Sequence, residues 1–491
     1  MIESPFGLDF VHQEDKPRDL TREPLMPHVL STQGPAVATE KLSFGMQWEG
    51  IFAGGAKGQK GRILIPHLLG KKFLEVPEFA FKADPEYEDT DAAFFDANGD
   101  GYPDLYIASG GNMEETEAIQ DRLFISNGVI CSFEGRHTIP CYEKEMNRLP
   151  PMPINSACVR PFDFDGDGDM DLFVGGRSVA GSYGKALRSY VLENDGKGFF
   201  TDKTAEIAPA LEYPGMVTDA RWADLNGDGK TELVVVGEWM KVSVFGWDGK
   251  QLIAQDWGTD NSTGWWNRLI ISDIDGDGDL DLMAGNRGLN GVLRASSEAP
   301  VWLHTQDIDN NGSIDPIISY VSEGKRKPFA GRDALARQLP KLKKRFLSYK
   351  KFAGATLDEV FPELGAPDAQ VQTFSSCWFE QQDGRFIMHE LPMEAQLAPI
   401  FAIGQVDSVT WLVGGGLEGV NPGYGRYLSG GGSMLRWNGS DFVAVPAYES
   451  GFWMPGELRH LIPLKTQVDM PPTWLGVFSN GGVMGWRELK K

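Results

Sequence analysis

Five acidic loops are the part of this sequence best suited to do chemistry. Each spans nine residues, carries Asp, Asn or Glu at positions 1, 3, 5 and 9, and has Gly at position 6. A hard cation such as Ca²⁺ takes about six to eight oxygen ligands, so four oxygen-bearing side chains at this spacing suit it. The loops cover residues 96–104, 163–171, 224–232, 273–281 and 307–315.

We interpret each loop as a calcium site. Glycine at position 6 permits the sharp turn, and the backbone carbonyl at position 7 can add a further ligand. Without a cation, four neighbouring carboxylates would repel one another and raise their own pKa values. The predicted ligands are Asp96, Asn98, Asp100, Tyr102 and Asp104; Asp163, Asp165, Asp167, Asp169 and Asp171; Asp224, Asn226, Asp228, Lys230 and Glu232; Asp273, Asp275, Asp277, Asp279 and Asp281; and Asp307, Asp309, Asn311, Ser313 and Asp315.

Two other interpretations of the acidic loops fit part of the pattern. Asp and Asn also form side-chain-to-backbone turns at strand ends, but a turn needs one such residue and not four at fixed positions. An EF-hand needs a bidentate Glu at position 12 and a helix on each side. Position 12 is apolar in all five loops, so the metal is expected to clamp strands and not to switch helices. The loop at 307–315, with Pro316 directly after it, matches least well.

Apolar runs on both sides of each loop predict a strand, an acidic loop and a second strand that ends in glycine. Copies without the acidic loop occur at 51–55, 411–416 and 475–482, and the closing glycines recur at a spacing near 60 residues. Each interval has room for a second hairpin, which makes a four-stranded unit. Such units at a fixed period predict an all-β fold, a β-propeller, with a linear array as the competing arrangement.

Seven closing glycines favour seven blades over residues 1–491. An eighth blade stays open because 130 residues separate Gly285 from Gly415. Residues 331–361 in this interval have helical spacing and are interpreted as an insertion. The loop at 307–315 is expected to join outer strands of its own blade.

Composition narrows the function. The 491 residues include 46 Lys and Arg and 69 Asp and Glu, which gives a net charge of −23. The negative electrostatic field of such a chain disfavours nucleic acid as a partner. No apolar run approaches the roughly 18 residues of a membrane span. The first residues lack the features of a signal peptide, so the chain either stays inside the cell or is a mature or truncated piece. Cys131 and Cys141 can form a local bridge, and Cys158 and Cys377 are expected to be buried.

The acidic loops, followed by strands such as LFVGGR and LYIASGG, resemble the FG-GAP or VCBS repeats of the integrin α-chain head. The segments DRLFISN, TGWWNRL, AGNRGLN, RQLPKLKKRFLSYKKFA, PMEAQLAPIFAI and YGRY resemble bacterial cell-envelope relatives of the cartilage acidic protein and UnbV group. The resemblance implies a seven-bladed propeller, calcium in the loops, secretion or surface anchoring through parts outside this chain, and a binding or scaffold role without catalysis.

No catalytic motif was found. The seven histidines show no metal-ligand spacing, and there is no GxSxG, Walker or dinucleotide-binding pattern. Trp265 and Trp266 could stack on a sugar or anchor a protein, unless they are buried between blades. A basic stretch at 325–351, including Lys343, Lys344 and Arg345, could bind an anionic glycan, lipid head group or acidic protein, unless it is a solvated helical face.

These observations favour a non-enzymatic, calcium-binding module of the extracellular, periplasmic or cell-surface space that binds glycans or proteins. One alternative is a polysaccharide lyase or hydrolase on a propeller scaffold. A Tyr, His or carboxylate outside the loops, gathered with Arg at the central channel, would favour that enzyme. A further alternative is one piece of a longer surface assembly.

Overall fold

A computed structural model describes residues 2–3, 5–42, 49–67, 72–78, 80–113, 119–133, 137–428, 430–464 and 472–487 of the chain. The strands form eight antiparallel sheets of four strands, and one sheet carries a short fifth strand. The fold is therefore all-β, as the sequence predicts.

The N-terminal strand and the first four blades follow one another along the chain. In each of these blades the four strands lie in sequence order, so each blade is an up-and-down meander. Their strands are β1 (Ile2–Glu3); β2 (Val37–Glu40), β3 (Gly50–Ala53), β4 (Arg62–Pro66) and β5 (Phe73–Glu75); β6 (Asp89–Phe95), β7 (Asp104–Ser109), β8 (Arg122–Phe133) and β9 (His137–Lys144); β10 (Asn155–Phe162), β11 (Asp171–Ser178), β12 (Tyr190–Asn194) and β13 (Phe200–Asp202); and β14 (Met216–Ala223), β15 (Glu232–Met240), β16 (Ser243–Trp247) and β17 (Leu252–Gln255), with β18 (Gly264–Trp265) beside β15.

The fifth blade is interrupted by another sheet. Its second strand pairs with a strand that begins about 90 residues later in the chain, and the intervening strands form a sheet of their own. The strands of this region are β19 (Arg268–Ser272) and β20 (Asp281–Gly285); the inserted β21 (Val301–Gln306), β22 (Asp315–Ser322), β23 (Lys325–Pro328) and β24 (Ala369–Val371); and β25 (Cys377–Gln382) and β26 (Arg385–Glu390).

Two further blades complete the ring. The last one takes its outermost strand from β1, where Ile2 pairs with Gly485. The strands are β27 (Ala402–Gln405), β28 (Thr410–Gly414), β29 (Ser433–Trp437) and β30 (Phe442–Val445), then β31 (Glu457–Leu464), β32 (Thr473–Ser479) and β33 (Val483–Trp486).

Seven blades form the ring, and the eighth sheet is the insertion. The first strands of neighbouring blades contact one another from β2 through β6, β10, β14, β19 and β27 to β31. The last and first blades share an apolar cluster that contains Ile462, Leu475 and Ile51. The first strands therefore line the central channel, and the inserted sheet packs on the fourth blade, where Val301 and Ile318 join the cluster of Trp239.

Short helices lie mainly in the insertion, inside the stretch 331–361 that has helical spacing. The side chains of Leu335, Leu342 and Val360 form one apolar cluster with Ile317 of β22. The α-helices of the chain are α1 (Asp19–Arg22), α2 (Thr204–Ile207), α3 (Arg332–Gln338), α4 (Lys341–Arg345), α5 (Tyr349–Gly354), α6 (Leu357–Val360) and α7 (Ala447–Ser450); short 3-10 turns span Pro5–Gly7, Met146–Arg148, Pro209–Leu211 and Met393–Gln396.

The acidic loop at 307–315 joins β21 to β22, the two central strands of the inserted sheet. The expectation that it joins outer strands of the fifth blade is therefore wrong. The short spacing after Gly285 arises because a new sheet starts inside the fifth blade. The other four loops join the first and second strands of blades two to five.

Candidate metal sites and central channel

The residue at position 9 ties each acidic loop to its sheet. Its carboxylate accepts a hydrogen bond from the backbone N–H at position 2 in all five loops, at 2.8–3.3 Å. In three blades its second oxygen also accepts from a backbone N–H of the third strand: Ser126 to Asp104, Asn194 to Asp171 and Gln381 to Asp281. A charge at position 9 is thus held against the backbone of both the loop and the blade.

Positions 1, 3 and 9 converge in the three loops where all are Asp. One oxygen of each lies within 4.8 Å of the others in the sets Asp163, Asp165 and Asp171; Asp273, Asp275 and Asp281; and Asp307, Asp309 and Asp315. Within the least regular loop, the Oδ1 atom of Asp309 is buried and has no hydrogen-bond partner. Hard oxygen donors in such a set fit Ca²⁺.

The remaining predicted ligands have other roles in the loops. Position 5 accepts a hydrogen bond from the N–H of position 7, as Asp167 does from Asp169 at 2.9 Å. Asn98 and Asn226 replace Asp at position 3 of two loops, and each donates its amide to the residue at position 5, Asp100 or Asp228. Glycine at position 6 has a φ between 82° and 101° throughout, which explains why that position is glycine in all five loops.

Burial makes the carboxylate at position 9 of each loop resist ionisation without a cation. It raises the pKa of Asp104 and Asp171 to about 7 and that of Asp281 to about 6, with neighbouring loop carboxylates adding to the effect. A raised pKa in the folded state means that the metal-free protein loses stability as the pH rises from the unfolded value near 3.8 toward 7. A bound cation would remove that cost.

A cavity of about 100 Å³ lies at the opposite end of the ring. The first strands run toward the acidic loops, so their starting residues, such as Thr90 and Thr218, mark the other end. One water needs about 10–15 Å³ of such space, so the cavity has room for several waters or a small ligand group. Five arginines line it: Arg160, Arg177, Arg268, Arg287 and Arg459.

Four of these arginines have carboxylate partners. Arg160 pairs with Asp91 and Asp219, and Arg268 lies 3.7 Å from Asp219. Burial alone would raise the pKa of Asp219, but Arg221, Arg160 and Arg268 hold it below the ordinary value. Separately, Arg177 pairs with Glu238, and Arg459 with Glu457.

Arg287 is the exception. It is 5% exposed, and its guanidinium donates to the Tyr427 hydroxyl at 3.3 Å and to the Leu293 carbonyl at 3.0 Å. Its Nε has no partner, and no carboxylate within the described part of the chain forms an ion pair with it. The Phe374 ring lies 4.1 Å from the guanidinium carbon. Burial lowers the pKa of Arg287. Among the described residues, no carboxylate balances its positive charge.

A cluster around Glu238 stands beside Arg287 in the same cavity. Glu238 accepts from the Tyr183 hydroxyl at 3.0 Å, and its other oxygen lies 2.7 Å from His28 Nε2. Burial would raise the pKa of Glu238, whereas Arg177 and His28 lower it below the ordinary value. Burial and the Glu238 charge raise the pKa of Tyr183 well above its usual value.

The two tryptophans are buried. Trp266 is fully buried and packs against Phe379, so the expectation of an exposed indole is wrong for it. Trp265 is 3% exposed and lines the channel cavity, where its Nε1 has no hydrogen-bond partner. Trp265 lies in β18 and Trp266 directly follows it, and both side chains pack between blades.

The basic stretch is partly structural. In α4, Lys343 and Lys344 are exposed, whereas Arg345 donates to the carbonyls of Val360 and Glu359 near the end of α6. Cys141 is disulfide-bonded, and Cys158 and Cys377 are free and buried; the side chain of Cys131 lies outside the described residues. Within the described chain, no helix is long and apolar enough to cross a membrane.

The arginines that line the channel cavity were not predicted from the sequence. Two of them stand at comparable places: Arg177 directly follows the closing glycine of the third blade, and Arg287 follows that of the fifth blade after one asparagine. This position was the available signal. The pairing of Arg177 with Glu238, and the absence of a carboxylate beside Arg287 among the described residues, depend on contacts between blades.

The fold and the acidic inter-strand loops define a β-propeller. A scan of family models matches the FG-GAP-like repeat at residues 163–235 and 224–284, which cover the loops of the third, fourth and fifth blades. The chain therefore carries FG-GAP-like repeats, as its motifs predict.

Similar solved structures include BBS1N in complex with ARL6DN (12% identity, 92% of this chain and 91% of that chain covered, TM-score 0.39). Others are YCF48 from Cyanidioschyzon merolae (8% identity, 94% and 98% covered, TM-score 0.41) and Saccharomyces cerevisiae Sqt1 (8% identity, 98% and 100% covered, TM-score 0.41). A search of curated proteins gives no match. At these TM-scores the likenesses support no statement about function.

Proposed function

We propose that this chain is a calcium-stabilised, non-enzymatic binding module for an anionic glycan or protein ligand. The observation that carries the binding role is the channel cavity, where the buried cation of Arg287 lacks a carboxylate. Buried charges are normally paired, so an anionic group of a ligand would complete the site. The acidic loops, at the opposite end of the ring, would hold the blades together through Ca²⁺.

An extracellular, periplasmic or cell-surface location is part of this proposal. Extracellular calcium modules bind at about 10⁻⁴–10⁻³ M, a concentration range that the cytosol does not supply. The disulfide at Cys141 also fits an oxidising compartment.

Calcium dependence is tested by thermal unfolding of the whole chain in excess Ca²⁺ and in EDTA. Calcium should raise the midpoint, because each site at about 100 times its Kd adds about 2.7 kcal/mol to the free energy of unfolding. Equal midpoints would contradict the calcium proposal.

A variant with Asp163→Asn, Asp165→Asn and Asp171→Asn should show a smaller calcium-dependent shift. Asp407→Asn is the matched control, because Asp407 is an exposed carboxylate in the turn between β27 and β28, the first two strands of a blade that has no acidic loop. The control should keep the full shift.

The ligand is tested on a glycan array with the calcium-loaded chain. Retention on acidic glycans, and none on neutral glycans of the same backbone, is the expected result. Lys343→Ala with Lys344→Ala should leave that retention unchanged. If it is lost, the exposed side of α4 is the binding surface and the channel is not.

A second candidate function is a polysaccharide lyase or hydrolase. The observation that favours it is the grouping of Tyr183, His28 and Glu238 with Arg177 at the channel. The low pKa of Glu238 and the high pKa of Tyr183 make both poor bases near neutral pH. Incubation with uronate polysaccharides, followed by chromatography of the products, tests it. New oligosaccharides that disappear with Tyr183→Phe would establish the enzyme.

A further inference from the structure

A second group of potential metal ligands lies away from the acidic loops. His12, Glu14 and Glu88 each place one ligand atom within 4.8 Å of the others. They are 0%, 9% and 2% exposed. His12 and Glu14 belong to the N-terminal segment that pairs with the last blade, where His12 bridges Gly481, and Glu88 directly precedes β6 of the second blade.

Each of the three side chains has an atom without a hydrogen-bond partner. His12 Nε2 lies 3.1 Å from Glu14 Oε1, which also accepts from Ser479, and Glu88 Oε2 accepts from the Lys57 backbone. The atoms left over are His12 Nδ1, Glu14 Oε2 and Glu88 Oε1. One ion can bind only one nitrogen of an imidazole, and Nε2 is the nitrogen that borders the two carboxylates. Unsatisfied buried polar atoms are costly, so the two unpartnered carboxylate oxygens at that edge of the ring call for a ligand.

Gly34 shows that Glu88 Oε1 faces the imidazole. A Cβ at Gly34 would lie 2.9 Å from His12 Nε2 and 3.3 Å from Glu88 Oε1. Both atoms therefore border the same small space, and any side chain at position 34 would enter it. Glycine at this position keeps the space open.

The cluster also lacks positive charge. Its one ion pair within the described residues is His12 with Glu14. The Lys57 ammonium lies at the Met113 sulfur, 3.4 Å away, and not at Glu88. Two buried carboxylates thus lie beside one imidazole with no Lys or Arg ion pair among the described residues. A divalent cation would balance both carboxylates.

We propose that His12, Glu14 and Glu88 bind one first-row divalent cation of the Zn²⁺ type. Imidazole suits Zn²⁺ and related transition metals, whereas Ca²⁺ takes oxygen ligands alone. The site is therefore distinct in chemistry from the acidic loops. Because His12 and Glu14 come from the segment that pairs with the last blade and Glu88 directly precedes the second blade, the ion would link the two blades on either side of the first one and so fasten the closure of the ring.

The test is a zinc titration of the whole chain in excess Ca²⁺, which occupies the oxygen sites. After EDTA treatment and transfer to Ca²⁺ buffer, the wild type should retain one zinc per chain through desalting, measured by elemental analysis. His12→Gln and Glu88→Gln should weaken zinc binding at least about tenfold. Cobalt(II) in place of zinc should give visible absorption bands in the wild type that neither variant shows.

His389→Gln is the matched control. His389 Nε2 lies 2.9 Å from Glu380, a pair of the same kind with a more exposed histidine, so zinc retention should be unchanged. A wild type that retains no zinc overturns the proposal, whatever the variants do. Equal retention by His12→Gln and wild type overturns it as well. The calcium proposal is tested by a separate measurement, the calcium-dependent unfolding midpoint. If that midpoint does not shift, the zinc result can still be interpreted.

Discussion

Single residues determine what each end of the propeller can bind. Loop carboxylates such as Asp171 are buried enough to resist ionisation, so a cation is the natural partner there. At the channel end Arg287 carries a buried charge without a carboxylate. The Arg287 guanidinium thus lies in a cavity of an otherwise acidic protein. An anion that entered this cavity would lose its water and bind to the guanidinium.

Arg287→Met separates a binding role from a structural one. Removal of an unpaired buried charge should leave the melting temperature unchanged or raise it, since replacing buried charges with apolar groups is often neutral or stabilising. Retention on acidic glycans should fall. Arg385→Met, which removes a surface arginine paired with Asp256, should change neither quantity. A strongly destabilised Arg287→Met with unaltered glycan retention would show that the residue is structural.

At the scale of the strand, the closing glycines have a steric cause. A Cβ at Gly237 would lie 2.2 Å from the Met216 carbonyl oxygen, and one at Gly285 would lie 2.4 Å from the Ile400 carbonyl oxygen. The second strand of a blade can approach the neighbouring backbone only without a side chain. The same close approach is present at Gly415, in a copy without the acidic loop, where a Cβ would lie 2.2 Å from the Pro399 carbonyl oxygen, but it is absent at Gly482, where the nearest atom would be 3.8 Å away.

Gly237→Ala should therefore lower the free energy of unfolding by about 1–3 kcal/mol, the usual cost of overpacking. Gly354→Ala is the control, because nothing lies within 4 Å of the added carbon at the end of α5. That change should be neutral or stabilise by up to about 1 kcal/mol. Chemical denaturation measures both, and equal effects would refute the steric explanation.

For the whole molecule, closure of the ring depends on the N-terminal segment. Strand β1 completes the last blade, and Leu8 and Phe10 pack into the cluster shared by the last and first blades. The proposed ion at His12 would act on the same joint. Stability of the ring should thus be sensitive to this segment, although it lies outside the acidic repeats.

Phe10→Ala should destabilise the chain by about 3–5 kcal/mol, as large-to-small changes of buried aromatics do. Phe10 is 2% exposed, whereas the next residue, Val11, is 55% exposed. Val11→Ala should accordingly change the free energy of unfolding by less than about 0.5 kcal/mol. Similar melting temperatures for wild type and Phe10→Ala would show that the segment does not support the ring.

The all-β class, the four-stranded repeat and the positions of the acidic loops could be predicted from the sequence alone. These features are local: an Asp at fixed spacing, a glycine with positive φ and alternating apolar runs lie within about ten residues of one another. The helices near 331–361 were predictable for the same reason, since Leu335, Leu339 and Leu342 recur at spacings of four and three residues.

The contacts that the ring makes between distant parts of the chain could not be predicted from the sequence. The eighth sheet inside the fifth blade depends on β20 pairing with β25, about 90 residues later in the chain. The contact of Arg287 with Tyr427, the cluster around Glu238, and the group of His12 with Glu88 all join residues from different blades. Their chemistry depends on burial and on distances across the ring, and neither quantity is encoded in the spacing of residues along one chain segment.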